Sequence, residues 1–86
     1  MRLDRFLSAA RIFKSRTLAG EAASASMVYV DGVAAKPSKN VKPGSIIEID
    51  TLKFYKKIEV KEIPGKNLPK NKAHALYDTL QERPKI

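Results

Sequence analysis

An Asp-Gly pair between two valine-rich runs is the feature that most restricts how this chain folds. In "VYVDGVAA", Val28 and Val30 alternate with Tyr29, and Asp31-Gly32 follows directly. This pair is a strong signal for a two-residue β-hairpin, because the favoured turn requires positive φ angles at both central residues. We therefore predict one strand before the turn and a second strand after it.

Two short helices are predicted before the hairpin. Leu3, Phe6, Leu7 and Ala10 follow the spacing i, i+3, i+4 and i+7, which places them on one face of a first helix. Ser15 is a suitable N-cap for a second helix. Small and apolar residues repeat the helical spacing after this cap: Leu18, Ala19, Ala22 and Ala23. The two segments predict a closely packed helix-turn-helix.

The segments after the hairpin complete a small sheet. "KPSKNVKPG", residues 36–44, is predicted to be an irregular connection that ends in a Pro43-Gly44 turn. "SIIEID" and "KFYKKIEVKEI" are predicted to form two more strands. The fold class is therefore α+β, with two helices and a mostly antiparallel sheet.

The last part of the chain is predicted to be a basic linker followed by a helix. "GKNLPKNK" has the composition of a linker, and in "AHALYDTLQER" the residues Ala73, Leu76, Tyr77 and Leu80 share one helical face. We therefore expect a domain at residues 1–63, and a linker with a C-terminal helix at residues 64–86.

Positive charge is the unusual property of the composition. The 86 residues, enough for one small domain, include 17 Lys and Arg but 9 Asp and Glu, which gives a net charge of +8 and a pI of 9.9. Such a surface is typical of nucleic-acid-binding proteins. The alternative is a basic surface that only keeps the protein soluble.

The N-terminus lacks the apolar core of a signal peptide, and no apolar run approaches the roughly 20 residues of a membrane span. We therefore expect a full-length cytoplasmic protein that does not contact the membrane.

The sequence offers little for catalysis. The absence of cysteine excludes disulfides, thiolate zinc sites and cysteine nucleophiles. His74 is the single histidine, and no recognisable motif supplies a base for Ser15 or Ser38. Recognisable hydrolase, nucleotide-binding and metal-ligand motifs are also missing. We therefore expect a protein that is not an enzyme and that uses neither a cofactor nor a metal ion.

Cations cluster where the first two helices meet. Arg11, Lys14 and Arg16 lie in "ARIFKSRTLA" without an intervening acid, beside the predicted N-terminus of the second helix. Free N–H groups and the helix dipole favour an anion there, so we expect these side chains to converge on phosphate oxygens. Arg2 and Arg5 extend the same block, and residues 36–42 provide a second basic block.

The order of these motifs resembles a known family. "RLDRFL", "AARIFKSRTLA", "VYVDG", "KPSKNVKPG" and "IIEI" follow the order and spacing of the S-four RNA-binding domain, over residues 2 to about 50. The resemblance implies two antiparallel helices packed on a small antiparallel sheet, with RNA held by the helices and adjoining loops. It also implies a set of RNA-facing residues: Arg2, Arg5, Arg11, Lys14, Ser15, Arg16, Thr17, Lys36, Ser38 and Lys39.

The short chain is similar to two stand-alone groups within this family, the heat-shock protein fifteen group and the RqcP-type factors. This resemblance implies binding to large ribosomal subunits that carry peptidyl-tRNA, with contacts to rRNA and to the tRNA, in rescue or quality control. We expect a monomer. Ser26 and Met27 replace the glycine and basic residue usual in the family, which predicts a less favourable left-handed helix end and one fewer cation there. A protein-interaction module and a general binder of structured RNA remain alternatives.

Overall fold

The computed structural model of the protein describes residues 1–64 and 75–85 and has an α+β fold. The elements occur in the order helix, helix, then five strands, which confirms the predicted fold class. Their bounds are α1 Leu3–Ala9, α2 Arg16–Ser24, β1 Val28–Val30, β2 Val33–Ala34, β3 Ile46–Asp50, β4 Phe54–Val60 and β5 Tyr77–Pro84.

Both helices end with the same backbone motif. The Arg11 N–H donates to the Ser8 carbonyl (3.0 Å) and the Ile12 N–H to the Leu7 carbonyl (3.1 Å), the two bonds of a Schellman motif. α2 ends in the same way, with Ser26 as the left-handed residue. The φ angles are 62° at Arg11 and 61° at Ser26. Neither left-handed position is therefore occupied by glycine.

α2 begins where its sequence predicts. The Ser15 side chain accepts a hydrogen bond from the Leu18 N–H at 3.1 Å, so Ser15 is the N-cap. Ala19, Ala22 and Ala23 are buried, as their spacing indicates. Leu18 lies at the margin of this face in the first turn and is 45% exposed, so it is not part of the buried core.

The five strands form one antiparallel sheet in the order β2-β1-β3-β4-β5. Asp31 and Gly32 connect β1 and β2 with φ angles of 51° and 85°, which confirms the predicted hairpin and its turn. The Asp31 carboxylate also accepts a hydrogen bond from the Ile46 N–H at 3.0 Å, so the turn is fixed against β3. Gly44 has a φ of 94°, as a turn at Pro43-Gly44 requires.

The helices pack against one face of the sheet. Phe6 of α1 and Ile47, Ile49 and Ile58 of the sheet are fully buried in one hydrophobic core. Alternate residues of β3 and β4 face the opposite side, as the period of two along a strand requires. The core therefore positions the N-terminal helices over the centre of the sheet.

The predicted C-terminal helix is wrong. Residues Tyr77–Pro84 form strand β5, which pairs antiparallel with β4 along its whole length. The apolar spacing fits a helix, but β4 offers a row of backbone N–H and C=O groups with which this segment pairs as a strand. Leu76, just before β5, is buried, whereas Leu80 lies at a bulge and is 51% exposed. The predicted basic linker and Ala73 lie outside the described residues.

Candidate nucleic-acid interface

A buried carboxylate joins two arginines at the N-terminal ends of the helices. Asp4 is 6% exposed, and its two oxygens lie 3.3 Å from Nε of Arg2 and 3.3 Å from Nε of Arg16. The backbone N–H of Arg5 donates a third hydrogen bond to this carboxylate at 2.7 Å. We call Arg2 and Arg16 the bridged arginines, since Asp4 connects them across the two helices.

These contacts keep Asp4 ionised. Burial acts to raise the pKa of Asp4, but the hydrogen bonds from Arg16, the Arg5 backbone and Arg2 outweigh it and hold the pKa below its usual 3.8. Each bridged arginine still has a side chain that is 51% exposed. Asp4 therefore orients two guanidinium groups that remain accessible to an anion.

The loop at residues 36–41 is fixed against the start of α1. The Leu3 N–H donates to the Lys39 carbonyl at 2.8 Å, and the Asp4 N–H donates to the Pro37 carbonyl at 3.1 Å. Arg2 forms an isolated antiparallel bridge with Asn40. The first N–H groups of α1 are thus satisfied by loop carbonyls, and the basic loop lies beside the bridged arginines.

α2 and this loop enclose an open groove of about 570 Å³ that contains Arg2. Lys36 adds a second cation to its lining, and Ser24, Ser26 and Ser38 add hydroxyl groups. Arginine, lysine and serine side chains are the usual donors to phosphate oxygens. The groove therefore has the chemistry of a site for a nucleic-acid backbone.

The structure brings only part of the predicted site together. Arg2, Lys36 and Ser38 line the groove, Arg16 joins them through Asp4, and Lys39 lies in the loop that borders α1. The other predicted residues on the helices and their connection are Arg5, Lys14 and Thr17, which are exposed, and Ser15, which caps α2.

Arg11 does not converge with Arg16 on one site. It follows the C-terminal end of α1 and lines a different cavity, beside β4 and β5. The left-handed residue at the end of α1 turns the chain there, so sequence proximity to Arg16 does not bring the side chains together.

Asp4 is the site residue that the sequence interpretation missed. Asp4 lies three residues before Leu7, on the apolar face of α1, so its carboxylate is expected to be buried. A buried carboxylate requires a partner of opposite charge or a hydrogen-bond donor. The flanking Arg2 and Arg5 supply the signal, since "RLDR" places cations on both sides of that carboxylate.

Residues 1–47 match the family model described as the S4 domain. The chain belongs to the S4 domain family. The RQC P-site tRNA stabilizing factor of Listeria innocua is 39% identical over 84 residues, covering 95% of this chain and 88% of that protein. The protein of the same name from Helicobacter pylori is 37% identical over 75 residues, and the alignment covers 86% of this chain and 89% of the Helicobacter pylori protein.

A solved structure has the same fold along most of the chain. The trimeric structure of heat shock protein 15 from Vibrio cholerae aligns with a TM-score of 0.81 and 34% identity. The alignment covers 92% of this chain and 80% of that chain. The similarity therefore extends past the S4 domain into the C-terminal part of the sheet.

The cations of the S4 domain differ from those of the later strands in their ion pairing. Within the described residues, Lys56 pairs with Glu82, Lys61 with Glu59 and Asp78, and Lys85 with Asp50. Over the same ranges, the S4 domain has cations that form no ion pair: Arg5, Arg11, Lys14, Lys36, Lys39 and Lys42. Beyond residue 47, Lys53, Lys57 and Arg83 also form no ion pair in the described ranges, so unpaired positive charge is more abundant on the helices and the loop of the S4 domain but is not confined to them.

Ser26 adopts a left-handed conformation with a φ of 61°, at the position where the resemblance led us to expect a less favourable helix end. Its N–H donates to the Ala23 carbonyl at 3.1 Å, and the Met27 N–H donates to the Ala22 carbonyl at 3.0 Å. The motif therefore forms without glycine, at the cost of a strained φ angle.

Residues 1–64 and 75–85 contain no cluster of three or more metal-ligating side chains. Across these ranges no helix has the length and apolar character needed to cross a membrane. His74 lies outside the described residues.

Proposed function

We propose that this protein binds the RNA of the large ribosomal subunit and the tRNA held there, in quality control of stalled subunits that carry peptidyl-tRNA. The observation that carries the proposal is the pair of bridged arginines beside the basic groove of an S4 domain. Relatives that match this chain over most of their length are named RQC P-site tRNA stabilizing factors, which supports the ribosomal setting.

The proposed mechanism is recognition of RNA shape and phosphate positions. The bridged arginines are already oriented by Asp4, so little side-chain entropy is lost when they contact phosphates. The groove has hydroxyl and cationic donors and no aromatic ring in its lining, which favours backbone contact over base stacking in that groove. The proposed contact residues remain Arg2, Arg5, Arg11, Lys14, Ser15, Arg16, Thr17, Lys36, Ser38 and Lys39.

The proposed role is one of binding and stabilisation, without catalysis and without a cofactor. An S4 domain with a groove lined by cations and hydroxyl groups supports this role. We propose a cytoplasmic monomer that acts on the subunit. The solved structure of the Vibrio cholerae relative is a trimer. Sedimentation velocity of the purified protein therefore tests the proposed monomer.

Co-sedimentation with large ribosomal subunits, with and without bound peptidyl-tRNA, tests the proposal. We expect preferential binding to the tRNA-bearing subunits, and loss of that binding in Arg16→Glu. Lys85→Glu is the matched control, because Lys85 is a cation of the sheet that pairs with Asp50. Equal losses from the two reversals would contradict the site assignment.

Two other outcomes would change the assigned function. Equal binding to both kinds of subunit would indicate a general rRNA binder with no preference for tRNA. Binding that resists nuclease and responds weakly to salt would indicate a protein-interaction module, since removal of RNA and screening of charge would then leave the contact intact.

A further inference from the structure

A second cavity lies beyond the C-terminal end of α1, where the connection between the helices approaches the last two strands. It has a volume of about 220 Å³ and is lined by Arg11, Ile12, Phe54, Lys56, Tyr77 and Glu82. We call it the aromatic cavity. α1 has seven residues and is about 10 Å long at 1.5 Å per residue, and it separates the aromatic cavity from the bridged arginines at its N-terminal end.

Lys56 is held in place at this cavity. Its side chain is 16% exposed, and Nζ lies 3.5 Å from a Glu82 carboxylate oxygen. The same Nζ donates to the Tyr77 hydroxyl at 3.4 Å and lies 5.1 Å from the centroid of the Tyr77 ring. These contacts leave the ammonium group with little freedom, so its position is set before any ligand arrives.

Arg11 is placed at the cavity by a strained backbone. Its φ of 62° is a left-handed conformation that is strained for a residue with a Cβ, and glycine would adopt it without this strain. The guanidinium group is also outside every ion pair among the described residues.

We propose that the aromatic cavity receives an unpaired nucleotide of the bound RNA. The base packs against Phe54 and Tyr77, while Arg11 and Lys56 contact its phosphate and Glu82 accepts a hydrogen bond from an N–H or O–H group of the nucleotide. Two cations against one carboxylate select an anionic ligand. The volume lies below the range of pockets for drug-sized molecules, which suits the base of one nucleotide, with the ribose and phosphate outside the cavity.

This inference rests on the proposed function and extends it. The groove contacts the RNA backbone at one end of α1, and the aromatic cavity holds an unstacked nucleotide at the other end. One RNA that combines a helical segment with an unpaired residue can therefore occupy both sites at once.

Fluorescence anisotropy with two labelled RNAs tests the proposal. The probes are a short single-stranded RNA of mixed sequence and a fully paired RNA hairpin of equal charge. Stacking of a base on an aromatic side chain corresponds to about a five- to hundred-fold change in affinity. We expect Tyr77→Leu and Arg11→Gly to weaken single-strand binding at least about fivefold, and to change hairpin binding less than half as much.

Matched controls separate this effect from general loss of charge or packing. Tyr55 is the control for Tyr77, because its ring also has a cation beside it, Arg83 at 4.8 Å, but lies on the opposite face of the sheet. Lys53 is the control for Arg11, because it is an exposed cation that does not line the cavity. Tyr55→Leu and Lys53→Ala are expected to leave single-strand binding within about twofold of the unmodified protein.

Arg11→Gly also excludes unfolding as the cause of lost binding. Glycine relieves the positive φ at this position, so the variant is expected to melt at a higher temperature than the unmodified protein. If Tyr77→Leu and Arg11→Gly bind the single-stranded RNA as tightly as their control variants do, the aromatic cavity is not a nucleotide site. Loss of large-subunit binding in Arg16→Glu would still support the proposed function in that case, so the two proposals fail separately.

Discussion

Oδ2 of Asp4 lies 3.3 Å from Nε of Arg16, although the two residues belong to different helices. The other carboxylate oxygen contacts Arg2 at the same distance, so one buried group orients two cations. Asp4 is surrounded by these cations and by loop backbone, and its charge is compensated. The consequences concern both stability and RNA binding.

Asp4→Asn is expected to destabilise the protein by about 1–3 kcal/mol at neutral pH, because the amide keeps the shape but loses both ion pairs. The pKa of Asp4 is lowered in the folded state, so its contribution is present above the unfolded value of 3.8 and is lost as the pH falls through the folded value. Urea unfolding from pH 7 to pH 2 measures this.

The difference between the unmodified protein and Asp4→Asn should therefore shrink in acid. Asp31→Asn is the control, because Asn-Gly supports the same hairpin turn. A stability difference for Asp4→Asn that stays constant down to the lowest pH would contradict the assigned ion pairs.

Ser26→Gly is expected to stabilise the protein by about 0.5–1 kcal/mol, since the strain that glycine removes at a φ of 61° exceeds the larger entropy cost of ordering glycine from the unfolded chain. The melting temperature should rise by several degrees for a chain of this size. Ser26→Ala removes the hydroxyl but keeps Cβ, and no comparable rise is expected. A similar rise in both variants would show that the hydroxyl, and not the backbone, is unfavourable.

Leu76→Ala and Leu80→Ala distinguish the observed strand from a helix. Leu76 is 1% exposed, and its truncation is expected to cost about 2–5 kcal/mol. Leu80 is 51% exposed at the bulge of β5, and its truncation is expected to cost less than about 0.5 kcal/mol. Chemical denaturation of both variants measures the difference. Equal costs would be the result for a helix that docks through both residues.

Binding to the large subunit is expected to depend steeply on salt. If about five to seven cations contact phosphates, the logarithm of the affinity falls with the logarithm of salt concentration with a slope of about −4 to −6. Arg5 is exposed and forms no ion pair among the described residues, so Arg5→Ala should reduce the magnitude of the slope by about 0.7 to 0.9. Lys85→Ala should leave it unchanged.

Local rules predicted much of the fold. The Ser15 cap needs one nearby N–H group, and the Asp31-Gly32 turn needs two positive φ angles, so neighbouring residues decide both features. The strands β3 and β4 follow from alternation of apolar and polar residues. The family resemblance located the basic residues of the S4 domain, and the match over residues 1–47 confirms the family.

Two features that residue spacing does not give depend on contacts between distant parts of the chain. Residues around Leu76 and Leu80 have helical spacing, but pairing with β4 decides their conformation. Arg11 and Arg16 are close in sequence, yet Arg16 pairs with Asp4, whereas Arg11, in the left-handed turn after α1, lines the aromatic cavity. Residue spacing alone identifies neither the strand with which a segment pairs nor the direction in which a side chain leaves a turn.

The sequence by itself determined the two helices, the hairpin, the excess of positive charge and the family, because each depends on local conformational preference or on composition. Only the tertiary structure decided that residues 77–84 complete the sheet, that Asp4 joins Arg2 to Arg16, and that Arg11 meets Lys56 and Tyr77 at a separate cavity. The physical reason is that the partner of a buried charge and the partner of a strand edge are brought close only when the core forms.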